Sequence, residues 1–392
     1  MPFQKTSEEP HERNISLKKR IIFILIMVAL PAGLLAIGLM VYVKIIGPNN
    51  PINRLVAYYF ATPKPLSPYE VNWAEVVVMV PVPYVGGNYK PNIRGIYVNT
   101  NDLGFRGVTD HEQLVKEARI LKSSGFKIVV LTGGSAAFGA FSDDDDTTIT
   151  AYLNLFLTQI GRRVKVYNFA MGSYTSDDEL ASLVMYASDT DPDLLVVMDG
   201  YNDAVRGSKG SRAALGVGIP YAYPTIREVY PASFQSSFLD KKYQVGSSEA
   251  LEAIRKRYER NMKRMKSFMN GIGGEILFAT QPLRGYNSNT AKCQQDSEDF
   301  QYREGIQDRG YIEIIFRQYP ALIQTGKEVA GDQGYVPLSD AFSTFPDACA
   351  FFVDRMHMSS AGQKVVARQL LPHILRRLSM RALTERETRL FK

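Results

Sequence analysis

An α/β fold built on a parallel sheet is what this sequence predicts, and three observations carry that reading. Five short apolar stretches, 127–132, 164–169, 193–199, 275–280 and 335–338, are separated by segments that include helical periodicity. Alternating strand and helix implies a parallel sheet with right-handed crossovers. The first stretch, Lys127-Ile-Val-Val-Leu131, is apolar after Lys127 and rich in β-branched residues, as a strand buried on both faces is. It runs straight into Gly133-Gly134-Ser135, a turn without bulky side chains at the strand end where open α/β sheets place their ligands. Ser135 is therefore expected at the exposed top edge of the sheet, opening the next helix.

In chain order, residues 1–20 are polar and charged and read as a tail. Ile21 to Val43 holds 23 residues without a charge, and about 20 apolar residues suffice to cross a bilayer. Pro31 is tolerated in such a helix. The apolar run continues past Ala36 with no small-residue cleavage pattern, which favours an anchor over 21–46 over a cleaved signal peptide. Lys18-Lys19-Arg20 outweigh Lys44, so the tail is expected in the cytoplasm and the main domain outside it. The expected location is the cell membrane, by a single pass.

Residues 47–120 are rich in Pro and Gly between Pro48 and Gly95 and read as an extension packed on a larger domain over 121–380. Residues 75–82 look strand-like despite Pro81, and Asn101-Asp-Leu-Gly-Phe-Arg-Gly107 suggests a tight turn. Ile149, Leu153, Phe156 and Ile160 share one helical face that Gly161 ends. Ser176 with Glu179 reads as a capping box, and Ser360 with Gln363 as the cap of the last helix. Leu251, Ile254, Tyr258, Met262, Met265 and Phe268 mark a longer amphipathic helix with a basic outer face. The segments 204–246 and 283–333 carry little periodicity and read as long loops. Residues 381–392 read as a C-terminal tail.

Composition excludes more than it assigns. At 392 residues with 45% hydrophobic and 22% charged side chains, the chain is an ordinary globular protein. The net charge of +6 is spread without a basic, aromatic-interleaved block, so no nucleic-acid partner is expected. Cys293 and Cys349 lack the spacing of a metal site, and no metal or cofactor is expected. Outside the cytoplasm the two would oxidise to a disulfide if their Cα atoms come within about 7 Å; otherwise they are unpaired thiols.

Three more features fall after the strands that follow Ser135. They are Gly172 in Ala170-Met-Gly-Ser173, Asn202 in Asp199-Gly-Tyr-Asn-Asp203, and Asp354-Arg-Met-His357 before the last helix. Acyl transfer from an ester needs a hydroxyl nucleophile, a base, a carboxylate to orient it, and donors for the oxyanion. Ser135, His357 and Asp354 supply the first three, and the N–H groups of Ser135 and Gly172 with the Asn202 amide supply the fourth. Each has a plainer reading taken alone: Asn202-Asp203 as an Asx turn, Gly172 as a turn glycine, Asp354 and His357 as surface or capping residues. Their coincidence at successive strand ends of one sheet favours the chemical reading.

The order Gly-Gly-Ser135, Gly172, Gly200-Tyr-Asn202-Asp203, Asp354-x-x-His357 resembles the four blocks of the SGNH (GDSL-type) hydrolases, over roughly 127–378. The first block departs: Gly134 stands where that family usually has Asp, a position outside the triad. Asn101–Gly107 is similar to a segment of membrane-anchored bacterial members. The resemblance implies a flavodoxin-like three-layer α/β/α fold with a five-stranded parallel sheet, here after one N-terminal transmembrane helix, and a metal-independent esterase activity. In it Ser135 is nucleophile, His357 base, Asp354 its partner, and Ser135, Gly172 and Asn202 oxyanion donors. The expected substrate is an O-acyl, most simply O-acetyl, ester on an extracytoplasmic glycan, with a lipid ester as the alternative. An acyltransferase with the same residues and a catalytically silent assembly protein are the other readings. Arg284 and Arg355, beside the site, are candidates to hold an anionic sugar or phosphate group, or else internal salt-bridge partners.

Overall fold

A computed structural model describes residues 79–82, 85–208, 246–286, 309–331, 333–345 and 348–391, all within the compact unit Ser67–Lys392. The expected tail (1–20), the expected membrane anchor (21–46) and Cys293 lie outside the described residues. Among the described residues no helix is long and apolar enough to cross a membrane.

A short antiparallel hairpin, β1 (Met79–Val82) and β2 (Gly86–Tyr89), leads into helix α1 (His111–Ser123). Five strands follow: β3 (Lys127–Gly133), β4 (Val164–Asn168), β5 (Leu194–Asp199), β6 (Glu275–Thr280) and β7 (Tyr335–Val336). All four neighbouring pairs are parallel, in the order β4-β3-β5-β6-β7. The chain thus reverses direction across the sheet between β3 and β5, the switch point at which doubly wound sheets bind ligands. Register brings the carboxyl ends of these strands to one edge, with Leu131 paired to Asn168, Gly133 to Met198 and Asp199 to Thr280. Ile128 to Leu131 and Leu194 to Met198 are fully buried, as strands covered on both faces require. β7 stops after two residues because Pro337 has no N–H to extend the ladder.

Helices cover both faces of the sheet. α2 (Ser135–Phe138) is a single turn following β3, and α3 (Ile149–Gln159) packs with α8 (Ser360–Arg377). α4 (Ser176–Met185), α5 (Tyr201–Ser208), α6 (Ser248–Gly271) and α7 (Arg309–Ala330) pack together elsewhere on the sheet. Val85, Tyr89, Val98 and Phe105, all before α1, belong to the same buried cluster as the strands.

Four sequence expectations change. Helix α7 occupies much of the segment read as a loop over 283–333. Pro320 lies inside it and Gly326 interrupts its apolar stripe, yet Ile315, Tyr319 and Leu322 are fully buried and the Tyr335 ring packs where a side chain at 326 would stand. Both expected caps shift back by one residue. Thr175 caps α4 with Asp178, and Ser359 caps α8. Ser176 and Ser360 are engaged elsewhere: Ser176 Oγ donates to Asp203, and Ser360 Oγ accepts from the Asp143 N–H. Finally, the expected tail folds back through α9 (Glu385–Arg389), placing the buried Phe391 ring 4.6 Å from that of Phe156.

Candidate active site

Ser135 opens the one-turn helix α2 directly after β3, and its Oγ lies 2.7 Å from His357 Nε2. His357 Nδ1 lies 2.7 Å from Asp354 Oδ2. The second carboxylate oxygen, Oδ1, accepts from the backbone N–H groups of Met356 and His357 at 2.8 and 2.7 Å. The Asp-x-x-His spacing therefore closes into a tight loop in which the carboxylate fixes both the imidazole and the backbone presenting it. A bridge between Phe352 and Met358 and a bond from the Val353 N–H to the His357 carbonyl seal its base. Burial works to raise the Asp354 carboxyl, but the His357 imidazole and these hydrogen bonds outweigh it and hold the group below its ordinary value. The Phe141 ring lies against the imidazole, centroids 4.9 Å apart, from a backbone with φ +63.

The segment after β6 braces this loop. Gln281 Nε2 donates to the Met356 carbonyl at 2.8 Å and the Arg284 N–H to the Arg355 carbonyl at 2.9 Å. The structure buries both arginines, Arg284 at 8% and Arg355 at 2% exposure, and sets the Arg355 guanidinium over the Phe316 ring at 5.6 Å. They are part of the packing beneath the loop, not an open subsite.

The expected oxyanion donors lie after β3, β4 and β5, at neighbouring strand ends around the switch point. Asn202, on the first turn of α5, donates through Nδ2 to the Tyr174 carbonyl at 2.8 Å. The same amide nitrogen stands 2.6 Å from where a Cβ on Gly134 would be, so Asn202 lies directly over the turn that carries Ser135. Gly172 does not have a positive φ; the neighbouring Ser173 does, at +63. Gly172 is needed for close approach instead: the Tyr89 ring and hydroxyl occupy the space a Cβ would fill.

Asp199, Asp203 and Glu179 form a group of buried carboxyls that the sequence reading, which took Glu179 as a helix cap, did not bring together. Asp199 accepts from the Tyr258 hydroxyl at 2.6 Å, and Asp203 accepts from the Ser176 N–H and hydroxyl at 3.1 and 2.7 Å. Glu179 is fully buried beside them. Burial, then the charges of Asp199 and Asp203, push the Glu179 carboxyl well above the carboxylate range. Burial and Asp203 push Asp199 up to about 8, against the hydrogen bonds from Tyr258 and Glu179. Both shifts favour the protonated carboxyl, as burial of neighbouring acidic groups does.

Cys349 lies in a 3-10 turn, Ala348–Phe351, just before Asp354, and is disulfide-bonded. The expected partner, Cys293, is outside the described residues, so their pairing stays a proposal.

Among solved structures, the chain is similar to lipases and esterases. A lipase/acylhydrolase from Enterococcus faecalis matches 66% of this chain and 100% of its own at 15% identity and a TM-score of 0.39. A variant of an acetyl xylan esterase from Geobacillus stearothermophilus matches 66% and 97% at 17% identity and a TM-score of 0.39. An alpha/beta hydrolase enzyme from the Lake Arreo metagenome matches 63% and 94% at 14% identity and a TM-score of 0.39. No family model and no curated protein matches the chain. At such identities and TM-scores nothing about activity passes from those proteins to this one.

Two predictions follow from the geometry. Gly134→Ala should displace the Asn202 amide and, since misplacement by about 1 Å can cost on the order of 10²-fold, lower ester turnover by that order without unfolding the protein; turnover equal to the parent's would mean that Asn202 is not needed where it stands. Folding raises Asp199 from 3.8 to about 8. Across that window the folded protein keeps a proton the unfolded chain has lost, so this group's stabilising contribution is complete below the lower value and falls as pH rises towards the upper one. Asp199→Asn should flatten the decline in melting temperature between about pH 4 and 8, and an unaltered slope would count against a protonated cluster.

Proposed function

We propose that this protein is a serine esterase of the SGNH type. The observation that carries the reading is the continuous hydrogen-bonded array Ser135–His357–Asp354 at the carboxyl edge of the sheet, beside the Asn202 amide. His357 Nε2 is placed to take the Ser135 proton as Oγ attacks an ester carbonyl, and Asp354 to hold the imidazole in the required tautomer and stabilise its cation. The carbonyl oxygen becomes an oxyanion that the Ser135 and Gly172 N–H groups and the Asn202 amide receive. His357 then returns the proton to the leaving alkoxide, and water repeats the sequence on the acyl-serine to release the acid and restore Ser135.

For the finer reading we propose an O-acyl, most simply O-acetyl, ester on an extracytoplasmic glycan, cleaved by an enzyme anchored through residues 21–46. The support is the uncharged stretch Ile21 to Val43 behind Lys18-Lys19-Arg20, which orients the domain outward, where glycans and lipids are the ester-bearing partners. A bridge between Cys293 and Cys349 fits the same compartment.

Ser135→Ala should lose about 10⁴–10⁶-fold in hydrolysis of a short-chain aryl ester with the melting temperature retained, and His357→Ala nearly as much; full activity of the serine variant refutes the mechanism. An added sugar acceptor that captures the acyl group would identify a transferase, and a preference for acyl chains of about eight carbons or more would point to a lipid ester. In a bacterial host, reporter fusions at the C-terminus should signal an extracytoplasmic location; a cytoplasmic signal reverses the assigned orientation.

A further inference from the structure

Helix α2 is four residues long, too short to stabilise itself, because a first helical turn fixes several residues for one hydrogen bond. It ends at Gly139, in the left-handed conformation at φ +88. The Ser135 carbonyl accepts the Ala140 N–H at 2.9 Å, and the carbonyls from Ala136 to Gly139 take side-chain donors, each buried and from a different element. Gln363 Nε2, on α8, donates to the Ala136 carbonyl at 3.2 Å. Asn168 Nδ2, at the end of β4, donates to the Ala137 and Phe138 carbonyls at 3.2 and 3.4 Å. Arg106 Nη1 donates to the Gly139 carbonyl at 2.6 Å.

Arg106 differs from the other two in kind and in origin. It belongs to the Asn101–Gly107 turn, before the first strand of the main sheet, and its guanidinium is spread over four acceptor groups. Besides Gly139 it donates to Asp145 Oδ1 at 2.7 Å, to the Tyr97 carbonyl at 2.7 Å and to the Asp144 carbonyl at 2.8 Å. Its carbon lies 5.4 Å from the centre of the Phe138 ring, the last residue of α2. Three segments thus converge on one buried cation: the turn that carries it, the end of the nucleophile turn, and the 144–145 loop. Asn99 Nδ2 holds the other oxygen of Asp145 at 2.7 Å, so the counter-ion is itself fixed from the extension.

We propose that Arg106 is a positioning residue for Ser135, fixing the end of α2 through the Gly139 carbonyl, so that the extension is a working part of the active site. The inference rests on the serine-esterase reading above. Arg106 touches no reacting atom; it acts by keeping α2 in the pose in which Oγ meets His357 and the Ser135 N–H faces the oxyanion. A lysine retains the charge but is a point donor that cannot span four acceptor groups in a fixed fork.

The test is made on the full chain, by the rate of Ser135 phosphonylation with a fluorophosphonate and by steady-state hydrolysis of an aryl acetate. Arg106→Lys should cut kcat and the labelling rate by about 10–10²-fold, the range expected for a misplaced nucleophile, while KM stays within about two-fold, as for an interaction used only in the transition state. In Arg106→Ala, added ethylguanidinium should restore part of the labelling rate, and methylammonium at the same ionic strength should not. Asp145→Asn keeps the guanidinium but loosens its anchor, and serves if the Arg106 variants fail to fold; it should slow labelling in the same sense. A parent protein that is not labelled at Ser135 overturns the serine-esterase reading and this inference with it. A labelled parent whose folded Arg106→Lys variant, or failing that Asp145→Asn, reacts equally fast overturns this inference alone.

Discussion

A helix of one turn cannot hold Ser135 in place by its own hydrogen bonds, and the arrangement around the candidate site follows from that constraint. Leaving buried carbonyls unsatisfied costs about 1–3 kcal/mol each, so the end of β3 could not present Ser135 without donors brought from elsewhere. The fold supplies them from the last helix, from the neighbouring strand β4 and from the extension, through Gln363, Asn168 and Arg106. Each donor is also tied to a second element: Gln363 accepts from the Ile149 N–H at the head of α3, and Asn168 accepts from the Ala170 N–H on the way to Gly172. Satisfying the turn that carries Ser135 therefore connects three of the four segments from which the candidate site is built.

The fourth segment, the Asp199–Asp203 turn with Asn202, is held by different means. Its two aspartates and Glu179 form a buried acidic group, in which burial and mutual charge raise Glu179 and Asp199 above their ordinary values. Such a group is poorer for stability than an apolar core of the same volume. What it supplies is direction, because a carboxyl bonded to Tyr258 and another bonded to Ser176 leave the turn between them one arrangement.

Much of this was legible in the sequence where a single local pattern decides the outcome. The strand Lys127–Gly133 reads directly from its apolar run, and the Ser135, Asn202 and Asp354-x-x-His357 positions read from their place after strands. The failures share a cause. At Thr175-Ser176 and Ser359-Ser360 two adjacent hydroxyls could each cap a helix, and a distant partner claimed the second of each pair. Helix α7 was hidden by Pro320 and by Gly326, whose missing side chain is replaced in the core by Tyr335. The segment around Arg106 stands out in the sequence, but the contacts of Arg106 and Gln281 do not, since they reach carbonyls that lie 33 and 75 residues away in the chain.

The departure at Gly134 shows the same dependence on distant partners. Against the SGNH pattern a glycine there looks like a lost feature of the first block. In the structure the space a side chain would take is occupied by the Asn202 amide, which reaches across the switch point to the Tyr174 carbonyl. Gly172 repeats the device on the other side, where the Tyr89 ring from the extension fills the missing volume. Two glycines without positive φ thus let a side chain from just past β5 and one from the hairpin close on the backbone around Ser135 and Gly172. Substituting either glycine alone forces a clash. A chain with a side chain at 134 would shift the Asn202 amide, so the pose of Asn202 depends on the residue at 134.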